Sequence, residues 1–133
     1  MDDGLTLGQA PGYDTDHVDQ RRADEIIRSH VRAFNARDLE GLLRTLADDA
    51  VWTTGRTTVH SRADLAAFFQ GAMTGLDATL SIRTLVTAGS TAAAELTETF
   101  GSAGAVALAG FYDLADGTMT RARIYREGSA DPD

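Results

Sequence analysis

The chain has 133 residues, of which 43% are hydrophobic, so it is long enough to form one domain with a substantial core. Its net charge of -8 argues against binding to nucleic acid, because contact with the phosphate backbone requires a basic surface. The chain contains no cysteine, which excludes disulfides, thiolate metal sites and thiol nucleophiles.

The N-terminal residues 1–15 are rich in Gly and Asp and show no periodicity, so we expect a flexible tail there. They contain no basic region followed by an apolar run, so no signal peptide is predicted. No apolar run anywhere approaches the roughly 20 residues that span a bilayer. These observations predict a cytoplasmic protein without a membrane partner.

A long first helix is predicted for residues 16–37. Ile27, Val31 and Phe34 recur at helical spacing and form one apolar face. His30 lies between two apolar rows, which is an unusual position for an imidazole.

A short second helix is predicted in LEGLLRTL, with Asp38 as its N-cap because a carboxylate can accept the free N–H groups of the first turn. Asp48 and Asp49 are predicted to end this helix. The β-branched and aromatic segment Ala50–Thr54 then predicts a strand. Adjacent acidic side chains point in different directions and no histidine accompanies them, which argues against a metal site.

A third helix is predicted to begin after Ser61, which can cap it with Asp64 as the acidic partner three residues on. His60 lies in the turn before this cap and is assigned a structural role. The predicted apolar side of the helix contains Leu65, Phe68, Phe69 and Ala72.

The second half of the domain is predicted to be a meander of strands. The predicted strands are residues 76–90, 91–100, 105–114 and 118–127, with a phase shift at Leu85–Val86 that indicates a bulge and a tight hairpin at Asp116–Gly117. Helices followed by strands indicate an α+β domain. We place this domain at residues 16–127, followed by a flexible tail at residues 128–133.

The segments FNARD, LLRTLADDAVW, HSRADLAAFF and GTMTRARIYRE resemble the SnoaL-like branch of the nuclear transport factor 2 (ketosteroid isomerase-like) superfamily. The resemblance covers residues 20–127. It implies a cone-shaped fold with three N-terminal helices packed in a strongly bent, mostly antiparallel mixed sheet. That superfamily contains isomerases, cyclases, hydrolases, dehydratases and binding domains, so the function has to be argued from the pocket.

The pocket can be predicted from the alternation of strand residues between the two faces of a sheet. In Thr91–Phe100 the inward phase is the one that carries Leu96 and Phe100, and it also contains Glu98. With the resemblance setting the phase of the first strand, an apolar pocket with aromatic walls is predicted, of the kind that binds small molecules. Its predicted lining residues are His30, Phe34, Trp52, Thr54, Phe68, Phe69, Leu96, Glu98, Phe100, Leu108, Tyr112 and Ile124.

Three polar members of this set, His30, Glu98 and Tyr112, are candidate catalytic residues. Glu98 among apolar neighbours would resist ionisation and suit general acid–base work; alternatively it is a solvated rim group paired with Arg126. His30 titrates near ~6.5 when free, and its alternative is a core histidine bonded to a backbone carbonyl. Tyr112 could donate to a ligand oxygen; alternatively it is a core tyrosine with its hydroxyl at the surface.

The resemblance also identifies catalytic groups that this chain lacks. Where the steroid isomerases have an Asp base, an oxyanion-hole Tyr and an oxyanion-hole Asp, this sequence has Thr54, His30 and Gly110. Where the limonene-type epoxide hydrolases have Asp, Arg and Asp, it has Glu98, Leu96 and Ile124. Neither mechanism is therefore expected.

These observations lead to the hypothesis of a cyclase, isomerase or dehydratase that acts on an apolar oxygenated substrate such as a polyketide or terpenoid. His30 and Tyr112 would meet the charge on a substrate oxygen while Glu98 moves the proton. No cofactor is expected, because neither a phosphate loop nor a metal motif is present. The competing hypothesis is a non-catalytic ligand-binding or dimerising domain. A homodimer is expected through the outer sheet face, which carries Thr97, Thr99, Phe111, Arg121, Arg123 and Tyr125.

Overall fold

The computed structural model describes residues 11–75 and 77–127, with side chains from residue 22 onward. Flexible tails were expected at residues 1–15 and 128–133; residues 1–10 and 128–133 lie outside the described residues, whereas residues 11–15 belong to a helix. The helices are α1 (Pro11–Ala36), α2 (Leu39–Leu43) and α3 (Arg62–Gly75). The strands are β1 (Leu46–Thr54), β2 (Thr57–His60), β3 (Ala78–Ala88), β4 (Thr91–Phe100), β5 (Ala105–Ala115) and β6 (Thr118–Arg126).

The six strands form one sheet in the order β2-β1-β6-β5-β4-β3. All neighbouring pairs are antiparallel except β1 and β6, which are parallel. The predicted α+β class and the mixed, mostly antiparallel sheet are therefore confirmed. The described residues contain three helices, but these do not form a continuous N-terminal block, because β1 and β2 lie between α2 and α3.

The first helix begins at Pro11, five residues before the predicted start at residue 16. It ends where Arg37 adopts a left-handed conformation with φ of 60°, and the next amide, Asp38 N, donates back to Ala33 O over 2.9 Å. Asp38 then caps α2, as predicted, by accepting from Gly41 N at 3.0 Å. One short segment thus ends α1 and begins α2.

The predicted extent of the second helix is wrong. The helix ends at Leu43, and Leu46 already pairs with Met119 of β6, so Asp48 and Asp49 lie in a strand rather than at a helix end. Arg62 explains the early end, because its guanidinium donates to Leu43 O at 2.8 Å and to Asp48 Oδ1 at 3.0 Å. A cationic side chain at a helix C-terminus satisfies carbonyls that the helix leaves free.

Strand β2 was not predicted from the sequence, since it has only four residues. The third helix follows it, and Ser61 Oγ accepts from Asp64 N at 3.2 Å, which confirms the predicted cap. The bulge predicted in β3 is present, but the register shifts between Ile82 and Thr84 rather than at Leu85–Val86. Arg83 is the extra residue, and it moves Leu85 onto the same partly buried face as Ile82.

Helix α1 is attached to the edge of the sheet by a side-chain amide. Asn35 Nδ2 donates to Leu80 O at 2.9 Å, and Leu80 N donates to Asn35 Oδ1 at 2.8 Å. Asn35 thus pairs with edge strand β3 as a neighbouring strand would. Between the helices and the sheet lies the core, whose most buried large side chains are Ile27, Leu42, Leu46, Leu65 and Met119.

Candidate functional site

A cavity of about 420 Å³ lies between α1, α3 and the inner face of the sheet. Its size suits a small organic molecule. Eleven of the twelve predicted lining residues border it: His30, Phe34, Trp52, Thr54, Phe68, Phe69, Leu96, Glu98, Leu108, Tyr112 and Ile124. The residues of β1, β4, β5 and β6 that were predicted to face inward therefore do face the cavity, apart from the exception below. Phe100 is the exception, because it lies at the end of β4 opposite Ala78 and packs on the core.

Six further residues border the cavity and were not predicted: Val31, Thr57, Gly71, Ala72, Leu80 and Arg126. Thr57 was missed because strand β2 was missed. Arg126 was predicted only as a possible partner of Glu98 at the rim, but it continues the inward phase of Ala122 and Ile124 along β6 and borders the cavity. Arg126 adds a positive charge to the cavity, in which an acid and a histidine were predicted.

An aromatic cluster forms one wall of the cavity. The His30 ring is stacked on Trp52 with centroids 5.1 Å apart and meets the edge of Phe69 at 5.6 Å. Trp52 and Phe69 are in edge contact at 4.9 Å, and Phe68 continues the cluster at 5.1 Å from Phe69. These edge and stacked arrangements are favourable for aromatic rings, and they hold the imidazole on two sides.

His30 is buried on α1, with an exposed fraction of 5%. Burial lowers its pKa from 6.5 to about 4, so the imidazole is neutral at pH 7. Its Nδ1 lies 2.9 Å from Thr45 Oγ1. The alternative reading of His30, a direct bond to a backbone carbonyl, is not what the structure contains, since the partner is a hydroxyl.

Glu98 is also buried, with an exposed fraction of 4%, and its Oε1 lies 2.8 Å from Arg126 Nη1. The contact is an ion pair without a well-aligned N–H, because no side chain or backbone group in the described residues donates a hydrogen bond to the enclosed Oε1. The alternative prediction for Glu98 is thus correct in one part and wrong in the other. Arg126 is its partner, but the carboxylate is buried rather than exposed to solvent at the rim.

Tyr112 is buried opposite Trp52, with the two ring centroids 6.4 Å apart. Burial raises the pKa of its phenol well above the usual range, so the hydroxyl keeps its proton and can donate it in a hydrogen bond. The hydroxyl lies over Gly110, two residues earlier on the same face of β5, where a Cβ atom would overlap it. Gly110 therefore provides the space that the phenol occupies.

The three candidate catalytic residues border one cavity, but they do not form one hydrogen-bonded chain. Among residues 22–75 and 77–127, His30 and Glu98 share neither a hydrogen bond nor an ion pair, since His30 is bonded to Thr45 and Glu98 is paired with Arg126. Their arrangement allows each to contact a different part of a bound molecule. In the same part of the chain, no three acidic or histidine side chains cluster as metal ligands would.

Comparisons with known proteins agree with this fold. A family model described as a SnoaL-like domain matches residues 27–122. A candidate ketosteroid isomerase from Kribbella flavida superposes with a TM-score of 0.76 at 22% identity, covering 86% of this chain and 84% of that one. An LEH-like epoxide hydrolase from M. tuberculosis has a TM-score of 0.72 at 19% identity, covering 81% of this chain and 84% of that one.

A candidate polyketide cyclase from Sinorhizobium meliloti superposes with a TM-score of 0.70 at 18% identity, covering 75% of this chain and 93% of that one. At such low identities these three structures show the fold alone. No curated protein matches this chain. None of the helices within the described ranges has both the length and the apolar character needed to cross a membrane.

Proposed function

We propose, from the premise that this chain belongs to the SnoaL-like domain family, that it is a cofactor-independent enzyme of the cyclase, isomerase or dehydratase kind. Its substrate is an apolar oxygenated molecule such as a polyketide or terpenoid. A candidate isomerase and a candidate cyclase share this fold, so the fold is compatible with this reaction class.

One observation carries the proposal: three groups capable of proton chemistry border a single cavity whose other walls are mostly apolar. They are a neutral imidazole, a protonated phenol and a carboxylate, from His30, Tyr112 and Glu98. Buried polar groups are costly in an apolar cavity unless they are satisfied, so their grouping there favours a chemical role over a packing role.

Each group has a distinct part in the proposed reaction. Tyr112 donates its O–H to the substrate oxygen on which charge develops. Glu98 and His30 take up and return the proton that moves. Arg126, in contact with Glu98, holds the carboxylate in place and keeps a cation beside the polar end of the substrate. The aromatic wall of Trp52 and Phe69 packs against the apolar part.

The experiment begins with protein isolated from its own host, in which native mass spectrometry identifies a retained small molecule. That molecule is then incubated with the protein in D₂O, and deuterium entering its carbon positions is followed by NMR. An acid–base enzyme is expected to catalyse this exchange. Glu98→Gln should slow it by roughly 10²-fold or more, the usual scale for a general acid or base.

The matched control is Glu95→Gln, on the same strand but on the exposed outer face. It should leave the exchange rate unchanged. Ligand affinity, followed through quenching of Trp52 fluorescence, should change little in either variant, because Trp52 lines the cavity and the substitution keeps the side-chain shape. Loss of affinity without loss of exchange rate at saturation would contradict the catalytic role of Glu98.

The second candidate function is a ligand-binding domain without catalysis. It is favoured by the separate engagement of His30 with Thr45 and of Glu98 with Arg126, since neither group is held by the other as a catalytic pair would be. This candidate predicts quenching of Trp52 by the ligand with no deuterium exchange in the wild-type protein.

A further inference from the structure

Thr45 lies outside the cavity but touches His30, which borders it. It sits between α2 and β1 with an exposed fraction of 8%. Its Oγ1 lies 2.9 Å from His30 Nδ1 and 2.6 Å from the backbone carbonyl oxygen of Leu42. Thr45 therefore bridges the imidazole of α1 to the backbone of α2.

The chemistry of these three groups fixes the direction of both hydrogen bonds. The carbonyl of Leu42 has no proton, so the hydroxyl of Thr45 must donate its single proton to it. The hydroxyl oxygen is then an acceptor toward His30, and Nδ1 must carry the donated proton. A neutral imidazole has only one N–H, so Nε2 of His30 carries a lone pair.

The surroundings of the ring support the same protonation state. The pKa of His30, lowered to about 4 by burial, leaves one proton on the ring at pH 7. Stacking on Trp52 at 5.1 Å and edge contact with Phe69 at 5.6 Å oppose a rotation that would exchange the two nitrogens. No residue of the described part of the chain forms a hydrogen bond with Nε2, so this nitrogen is left to a molecule in the cavity.

We propose that Thr45 is a positioning residue, which holds His30 as the Nδ1–H tautomer so that Nε2 meets the bound molecule as a proton acceptor. This role in the reaction rests on the proposed function, whereas the tautomer itself does not. It corrects the role expected for His30 from the sequence, because a bare Nε2 cannot donate to a negatively charged oxygen. Tyr112 is then the donor to that oxygen.

The proton step balances without a further reactant. The substrate places an acidic C–H or O–H against Nε2; that bond breaks, its electron pair stays on the substrate, and the proton bonds to Nε2. The imidazolium that forms keeps its Nδ1–H bond to Thr45, and it returns the proton at another position of the same molecule. The class of ligand is therefore one with a hydrogen-bond donor or an acidified C–H next to an apolar body.

The test is an NMR measurement on protein labelled with ¹⁵N in the histidine rings, at pH 7. The resonances of His30 are identified by their loss in His30→Gln. The wild-type ring should show a protonated Nδ1 and a bare Nε2. Thr45→Val keeps the shape but removes the hydroxyl, so the population should move to the Nε2–H tautomer. Thr45→Ser restores a hydroxyl and should restore the wild-type pattern.

The control is Thr58→Val, at an exposed position of β2, which should leave the His30 resonances unchanged. A wild-type ring with Nε2–H or with both nitrogens protonated at pH 7 would overturn the proposal, and this holds even if Thr45→Val does not fold. Retention of the Nδ1–H pattern in folded Thr45→Val would overturn it as well.

Exchange kinetics separate this inference from the proposed function. Thr45→Val should slow deuterium exchange into the ligand by up to the roughly 10²-fold that a general base contributes, with ligand affinity unchanged and with recovery in Thr45→Ser. A tautomer that shifts in Thr45→Val, with no exchange in any variant, would support the control of the His30 tautomer by Thr45 and contradict the proposed enzyme activity. Slower exchange in Thr45→Val with an unchanged tautomer would contradict the positioning role of Thr45 and support the proposed enzyme activity.

Discussion

At the scale of single residues, two buried side chains in the interior of this domain hold positions that are stable only under particular conditions. His30 is held neutral inside an aromatic cluster, and Tyr112 is folded over a position that has no Cβ atom. Each arrangement makes the stability of the domain depend on a specific and measurable condition. The first condition is pH, and the second is the absence of one methyl group at Gly110.

His30 predicts a loss of stability in mild acid. Its pKa is about 4 in the folded state and 6.5 when the imidazole is exposed to water, so the unfolded chain binds more protons between these two pH values. The contribution of His30 to stability is therefore lost as the pH falls from 6.5 to 4, by roughly 3 kcal/mol in total. Urea unfolding of wild type and His30→Gln across this range should show the difference between them shrinking toward acid.

Subtracting the variant removes the contribution of the carboxylates, which also titrate in acid. Thr58→Val is the control, because Thr58 is exposed on β2 and neither side chain titrates, so the pH dependence should stay as in wild type. A constant difference in unfolding free energy between wild type and His30→Gln from pH 6.5 to 4 would show that His30 is not buried as a neutral ring.

Gly110→Ala tests the position of Tyr112. The added Cβ would overlap the hydroxyl and the neighbouring ring carbon of Tyr112, so the ring must turn away from its place in the cavity. We expect destabilisation of roughly 1–3 kcal/mol, as for other overpacked core positions, and weaker ligand binding. Gly75→Ala is the control, because open space surrounds that position of α3 and alanine favours a helix. Equal unfolding free energies for wild type and Gly110→Ala would contradict the placement of the phenol.

At the scale of elements, one side-chain amide joins α1 to the edge of the sheet. Asn35 satisfies both the N–H and the C=O of Leu80 on the edge strand β3, and an edge strand otherwise presents such groups unpaired. The residue follows Phe34, which points into the cavity, so the same segment fixes the helix and one cavity wall. This explains why an exposed polar residue has a structural role here.

Replacing Asn35 should therefore destabilise the attachment of β3, and the effect should grow with the number of hydrogen bonds lost. Asn35→Asp keeps the acceptor for Leu80 N and loses the donor to Leu80 O, whereas Asn35→Leu loses both bonds. We expect the larger loss for Asn35→Leu, on the order of 1–3 kcal/mol, with faster hydrogen exchange at the Leu80 amide. Gln70→Leu, on the exposed side of α3, should leave that amide unaffected. Equal exchange at Leu80 in Asn35→Leu and wild type would rule out this attachment.

The sequence predicted elements well where their periodicity was long, and poorly where a distant side chain decided the boundary. The inward phases of β4, β5 and β6 followed from alternation, and they account for the cavity residues Leu96, Glu98, Leu108, Tyr112 and Ile124. The end of α2 could not be read locally, because Arg62, 19 residues beyond Leu43, satisfies the carbonyl at which it stops. Periodicity continued through Leu46 and suggested a longer helix.

The site shows the same division between local pattern and distant contact. That His30, Glu98 and Tyr112 border one cavity was predicted from residue periodicity together with the family resemblance. Their hydrogen-bond partners were not, since Thr45 lies at a boundary that was misplaced and a sequence pattern gives no distances. The roles of these three residues remain proposals, whereas their positions and partners follow from the fold.

At the scale of the whole molecule, the outer face of the sheet exposes large apolar side chains. Phe111 and Tyr125 are 40% and 51% exposed there, and their rings are in edge contact at 5.9 Å. Val86 lies in the same row across the strands, opposite Ala93, which in turn lies opposite Phe111. Large apolar side chains that stay exposed in a row are typical of an interface core, with polar residues such as Arg121 as its rim.

We therefore expect a homodimer joined through this face, with a mass near twice 14.1 kDa in sedimentation at micromolar concentration. Phe111→Glu combined with Tyr125→Glu should yield monomers, because two new carboxylates on a chain of net charge -8 would face their copies across the symmetry axis. Both side chains are exposed in the single chain, so the fold and the inner cavity should persist. Gln70→Glu, on α3 away from this face, should remain dimeric. A wild-type mass of 14.1 kDa would contradict the dimer. A double variant that still dimerises would show that the contact lies on another surface.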